Sequence, residues 1–231
     1  MDGRVLHFHL AGINNQNFII RDEETGSWWQ QVSGKAIHGP MKGRQLKEVF
    51  HDEISFAIWK HEKPQGRVLK PDERITAANQ YETADWETRM GRMRAVEGTD
   101  VDKRFAPRTL VIGVDVGGKS IAYPLPALQK QSPIMDTAGS VPLMLVLGED
   151  KRSVRAFERL VDGRRLEFFQ KTEAGFQLID SETGSTWNFE GKAIAGPLAG
   201  KQLKRLSVLE DYWFDWRIYH PETSIYDIGP R

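Results

Sequence analysis

The 231-residue chain contains no cysteine, which excludes disulfide bridges, thiolate metal sites and thiol catalysis together. The absence does not identify a compartment. No apolar run approaches the ~20 residues a membrane-spanning helix needs, and the first residues lack the apolar stretch of a signal peptide, so the chain is expected to be soluble, with no membrane partner. Neither sign of charge is in excess, since 32 Lys and Arg balance 32 Asp and Glu without a basic block. That argues against nucleic acid or an anionic membrane as a partner, because both recruit surplus Lys and Arg. A chain this long buries roughly 70% of its unfolded surface or more, enough for one large core or two small ones.

What the chain has is repetition. Asp22-Glu-Glu-Thr-Gly-Ser-Trp-Trp29 returns as Asp180-Ser-Glu-Thr-Gly-Ser-Thr-Trp187, and Gly34-Lys-Ala-Ile-His-Gly-Pro40 returns as Gly191-Lys-Ala-Ile-Ala-Gly-Pro197. Six of eight positions are identical in the first block, and ten of fourteen in the second when it is run on to Lys47 and Lys204. Chance does not produce that agreement at a nearly constant offset, so one module is expected twice. The likeness reaches from Asp2-Gly-Arg against Asp162-Gly-Arg to Phe56, Trp59 and Pro64 against Trp213, Trp216 and Pro221.

The local pattern is strand after strand. Val5–Leu10, Phe18–Arg21 and Ser27–Val32 form one group, and Leu166–Gln170, Phe176–Ile179 and Ser185–Phe189 echo it. Leu110–Val116 and Lys119–Tyr123 read as a hairpin turned by Gly117-Gly118, and Asp162-Gly163 suits a type I′ turn. Val141–Leu147 is apolar without alternation, as in a strand covered on both faces. Short helices are predicted over 52–61 and 210–219, each with an aromatic stripe laid on its own sheet and each ended by a proline, and one more over 84–93. The fold class is thus mostly β: a partial module at 1–61, a connector with a short helix at 62–107 and a complete module at 108–231, the modules sharing one sheet or sandwich. The connector should pack on the modules through Tyr81, Trp86 and its methionines.

The repeated Asp-x-Glu-Thr-Gly-Ser is turn chemistry first, in which Asp22 and Asp180 accept backbone hydrogen bonds and a following Trp packs back across the hairpin. A propeller would need at least four blades at closer spacing, and Ser27 and Ser185 lack the strand-turn-helix setting of a nucleophile elbow.

The motifs from Val111-Ile-Gly-Val and Ile121-Ala-Tyr-Pro-Leu through Asp136-Thr-Ala-Gly-Ser-Val-Pro and Val161-Asp-Gly-Arg to Trp216-Arg-Ile-Tyr-His-Pro, in this order, resemble the bacterial family catalogued as domain of unknown function 3179. The resemblance covers about 108–229 as a complete copy, and 2–64 resembles the C-terminal part of the same domain. It implies no assigned activity. Relatives are expected to carry a Trp-His-Glu segment followed by Asn-Asp, and later Cys-Pro-Leu-Cys, a set suited to a metal or redox site. Here those regions read Leu128-Gln-Lys-Gln-Ser-Pro-Ile-Met-Asp136 and Leu147-Gly-Glu-Asp-Lys-Arg-Ser-Val154, so only Asp136 of that set remains.

Two local constellations complete the candidate sites. His7 and His9, two apart on a predicted strand, leave the same face and suit one metal ion with a third ligand, against the plainer reading of a polar strand face. Trp28, replaced by Thr186 in the second copy, is the tryptophan freest to stack a sugar or another flat ligand, with Asp22, Asp180 and Asp136 as polar candidates. No catalytic residue is recognised and no cofactor is implied, and the reading leans away from an enzyme. The leading class is a noncatalytic binding or assembly module, the remaining part of a larger two-copy protein. A metal-dependent enzyme or redox protein with its site in an absent N-terminal region is the runner-up, and a carbohydrate-binding module using exposed Trp is the third class. Because the first copy starts within a hairpin turn, an exposed strand edge is expected there, paired in a homodimer through the N-terminal strand.

Overall fold

The computed structural model describes residues 1, 3–14, 17–74, 83–95, 104–171 and 175–227. Asp2 and Tyr81 lie outside them. The fold is mostly β, with five sheets and four short helices among the described residues. An antiparallel meander opens the chain: β1 (Phe8–Asn14), β2 (Asn17–Asp22), β3 (Trp28–Gln30) and β4 (Ala36–His38). Helix α1 (Phe56–Glu62) starts where the Ser55 hydroxyl accepts from the Ile58 amide and stops at Lys63, before Pro64. Helix α2 (Trp86–Arg92) follows.

The central part begins with the hairpin of β5 (Leu110–Val116) and β6 (Lys119–Pro124), turned at Gly117 and Gly118 with φ of 60° and 72°. Helix α3 (Leu125–Lys130), β7 (Ile134–Ala138), β8 (Val141–Leu147) and β9 (Val154–Glu158) follow. Next come the small hairpin of β10 (Leu160–Val161) and β11 (Arg164–Arg165), and a second meander of β12 (Phe168–Lys171), β13 (Gln177–Asp180), β14 (Thr186–Trp187) and β15 (Ala193–Ala195). β16 (Arg205–Leu206), β17 (Leu209–Tyr212), α4 (Trp213–Tyr219) and β18 (Ser224–Ile225) close the chain.

Strand alternation builds the layers. Two four-stranded sheets, ordered β17-β5-β6-β18 and β16-β9-β8-β7, meet through Ile112, Val114, Leu143, Leu145 and Leu147 in one buried cluster. The opposite face of β8 carries Met144 and Val146, which pack with Phe157 against Phe168, Leu178 and Trp187 of the second meander. β8 is therefore covered on both faces, the reason its sequence does not alternate. On the far side of the sandwich, Trp213 and Trp216 of α4 cover Val111 and Ala122, and Gly113 leaves room for the Trp216 ring. A Cβ at Gly113 would lie 2.1 Å from that ring.

The two meanders share their pairing. Phe8 faces Asp22 as Phe168 faces Asp180, Ile20 faces Trp29 as Leu178 faces Trp187, and both have the same register shift between the third and fourth strands. Isolated bridges Lys35–Gln45 and Lys192–Gln202 extend the agreement. Their surroundings differ. Phe168 is 2% exposed and Phe8 38%, Leu206 9% and Val49 76%, Trp213 0% and Phe56 60%. The second member of each pair stands in the first meander or its tail, where no layer equivalent to β8 and β9 is packed on it among the described residues.

Three expectations shift. The stretch 210–212, expected to open a helix, belongs to β17 and pairs with β5, so α4 starts at Trp213. β1 begins at Phe8, three residues later than the alternation suggested, because His7 is held outside the ladder by the turn carboxylates: its amide donates to Glu24 Oε2 at 2.9 Å. Helix α1 does not lie on its own meander; Ile54 and Ile58 pack against the cluster around Phe189 of the second one. Arg155, almost fully buried on β9, fixes this crossing by donating to Asp52 and Glu62 at 2.8 Å and stacking over Phe189. In the converse crossing, Asn17 of β2 donates to Asp215 of α4.

Candidate functional site

The candidate residues do not gather at one point. Asp22 and Asp180 are each fully buried at the end of a strand, where they organise the turn that follows. Asp22 accepts from the Thr25 amide at 2.5 Å and from Trp29 Nε1 at 2.7 Å; Asp180 accepts from the Thr183 amide at 2.7 Å and from Trp187 Nε1 at 2.9 Å. Burial pushes the Asp22 carboxyl up, and the hydrogen bonds from Trp29, Thr25 and Ser27 outweigh it, leaving it below the usual carboxylate range. Ser27 and Ser185 are buried too, and their hydroxyls accept from the Met41 and Leu198 amides, each at 3.0 Å. These groups hold turns.

His7 and His9 do not converge either. His7 Nδ1 lies 2.5 Å from Glu24 Oε1, and His9 Nδ1 lies 4.0 Å from Glu23 Oε1, so each imidazole faces a separate carboxylate of the first turn. The hydrogen bond to Glu24 raises the His7 pKa. Among the described residues no group of three or more His, Cys, Asp or Glu side chains is placed to hold a metal ion. Asp136 stands alone on β7, accepting from the Tyr123 hydroxyl at 3.0 Å and from the Thr137 amide. Trp28 is 42% exposed beside the edge of His38, with ring centroids 6.0 Å apart.

A separate cleft of about 820 Å³ lies between residues 52–56, α2 and β17. Glu53, Glu87, Arg152, Glu210 and Asp211 bring charge to it; Phe56 and Trp86 bring aromatic surface. The Glu210 amide donates to Glu53 Oε2 at 3.2 Å, which joins its two sides. Arg152 pairs with Glu87. Burial, followed by the neighbouring Asp215, pushes the Asp211 carboxyl up to about 7, and burial, followed by Glu53, raises Glu210. None of the cleft acids was singled out in the sequence. The available signal was that Glu53 and Glu210 occupy the same place in the repeat.

A family model described as "Protein of unknown function (DUF3179)" matches residues 1–223. The chain belongs to this family. One match covers both meanders. No curated protein matches this member of the family, and no solved structure does. No helix among its described residues is long and apolar enough to cross a membrane.

Proposed function

We propose that the protein is a noncatalytic assembly module, in which a partial unit at 1–61 is joined by a connector at 62–107 to a complete unit at 108–231. The observation that carries this reading is the contrast between the meanders. The same strands in the same register are packed under β8 and β9 in one unit and left open in the other, with Phe8, Leu10, Ile13 and Phe18 exposed. Folded proteins rarely leave such a surface beside an open strand edge, because both invite pairing.

The partner in this proposal is a second copy of the chain, joined through β1. That strand is at the sheet edge and has no charged residue from Phe8 to Asn14, so two copies pairing antiparallel about a twofold axis bring no like charges together. The exposed side chains of Phe8, Leu10, Ile13 and Phe18 give this edge an apolar surface, and a stable interface buries ~800 Å² per partner, so the pairing must also take in neighbouring residues. Light scattering at micromolar concentration should give a dimer, with slow hydrogen exchange along β1. Leu10→Lys with Ile13→Lys should return a folded monomer. A wild-type monomer with fast exchange throughout Phe8–Asn14 would overturn the reading.

A second reading follows from the exposure of Trp28: a flat ligand such as a sugar ring stacks on its free face. Titration with soluble oligosaccharides should then quench fluorescence in the wild type and not in Trp28→Ala. Equal quenching in both would remove it.

A further inference from the structure

The first meander has one apolar face, and the repeat shows what covers that face in its twin. Side chains of directly paired residues leave a sheet on the same side, so the register puts Phe8, Leu10, Ile13 and Phe18 on the face that carries Ile20, Asp22 and Trp29. The equivalent face of the second meander, with Phe168, Leu178 and Trp187, lies under Met144 and Val146 of β8 and Phe157 of β9. Trp29 and Ala36 are buried as Trp187 and Ala193 are, but the residues around them are not. Leu6, Ile20 and Leu46 are partly exposed where Leu166, Leu178 and Leu203 are fully buried.

β9 also holds the second unit through main chain and charge. The Arg159 carbonyl accepts the Leu166 amide, and its guanidinium donates to the Leu166 carbonyl, each at 2.9 Å. Ala156 and Phe157 pair with Leu206 and Arg205, and Glu158 meets the Lys204 ammonium at 2.8 Å. The chain leaves both meanders alike, since the Leu46 amide donates to the Gly34 carbonyl as the Leu203 amide does to that of Gly191, each at 2.9 Å. The first copy thus has the same groups in place. Among the described residues, Leu6 makes no hydrogen bond, Glu48 and Val49 pair with no strand, and no ion pair reaches Lys47. A face, a main-chain edge and a cation stand unused where one antiparallel hairpin uses their equivalents.

We propose that the open face of the first meander docks an antiparallel β-hairpin of a separate polypeptide, one strand of which pairs with Glu48 and Val49 as β9 pairs with Arg205 and Leu206. Apolar side chains of the Met, Val and Phe kind at alternate positions of the hairpin cover Phe8 and Ile20. An acidic side chain meets Lys47, and an arginine reaches the Leu6 carbonyl. Main-chain bonds to the edge supply affinity, while the apolar face and the charge select the sequence. A second copy of this chain does not supply the hairpin, because Met144 and Phe157 are both 0% exposed within their own unit. The proposal rests on the same open meander as the assembly reading but uses the sheet face, which pairing of two β1 edges leaves uncovered.

The probe is a fluorescent peptide of residues 141–161, with Leu143→Thr, Leu145→Thr and Leu147→Thr because those side chains face the other core cluster. Titrated with the whole chain at low salt, its anisotropy should rise to saturation at one peptide per chain, and a peptide with Met144→Lys and Phe157→Lys should not bind. In the chain, Lys47→Glu at an exposed position should weaken binding severalfold, and Glu158→Lys in the peptide should restore it. Val49→Asp, at a site 76% exposed where the fold is not at risk, should weaken it about tenfold or more, since the carboxylate would be buried as Leu206 is. Both positions lie outside β1, so light scattering of these variants should match the wild type, and failure of β1 pairing is read separately from failure of peptide binding. No saturable binding at submillimolar chain, or binding undiminished by Lys47→Glu and Val49→Asp together, would overturn the proposal. Self-association of the wild type that is lost in both variants would also overturn it, by placing a second copy on the face.

Discussion

Asp22 and Asp180 show how one carboxylate organises a turn and a core at once. Each accepts the amide of the Thr three residues on and the indole nitrogen of the Trp seven residues on, so a strand end, a tight turn and the largest side chain of the sheet share one anchor. Deleting the carboxylate leaves a fully buried indole N–H and a turn amide without acceptors, at ~1–3 kcal/mol for each group. Asp180→Ala should therefore lower stability by about 3 kcal/mol in urea unfolding, and Asp180→Asn by less, because its amide oxygen still accepts. A loss under ~1 kcal/mol in the alanine variant would mean that the turn holds without its anchor. Turn formation was legible in the sequence from Asp, Gly and their spacing. The indole bond was not: the sequence shows that the Trp packs back across the hairpin, and not that its Nε1 meets the buried carboxylate there.

At the scale of elements, the strands that were read correctly are those whose burial leaves a pattern. β5 spans Leu110–Val116 and β8 spans Val141–Leu147, as the apolar runs predict, because packing fixes both their ends. Helix α3 was missed: six residues with Pro126 in the first turn give too little periodicity to read, and its burial comes from Leu125, Ala127 and Leu128 meeting the sandwich core. The crossing of α1 onto the second meander was illegible for a further reason. Its aromatic stripe matches that of α4, yet what it meets is decided by Arg155 on a distant strand. The cleft was hidden in the same way, since residues near 53, 86, 152 and 211 carry no common motif. The packing of α4 gives a sharp test. Gly113→Ala places a methyl group inside the Trp216 ring, so α4 must move; a cost of ~1–3 kcal/mol and lost protection of Trp213–Tyr219 are expected. An unchanged unfolding midpoint would show that α4 is not seated there. Arg155→Met should likewise loosen α1, by ~3 kcal/mol or more, because Asp52 and Glu62 then lose the buried partner they share.

At the scale of the whole molecule, groups shifted in opposite directions define a pH window for stability. Burial raises Asp211 to about 7 and Asp215 to about 6, and raises Glu210 as well. The folded state binds more protons than the unfolded one at these sites, so their contribution is complete below the unfolded carboxyl value of ~4 and is lost as pH rises through about 6 to 7. His220 acts in the same sense: burial opposes its charge, but Asp115 prevails and raises it, so its contribution is lost as pH rises through its folded value. Asp22 and Asp150 are lowered, because hydrogen bonds from their turns outweigh burial; their contribution is present above ~4 and is lost as pH falls through their folded values. The two sets leave a maximum near pH 5. Urea midpoints measured from pH 3 to pH 8 should rise and then fall, and Asp211→Asn should flatten the fall above pH 5 while leaving the acid limb in place. An alkaline limb unchanged by the substitution would show that these buried carboxylates do not set the stability of the fold.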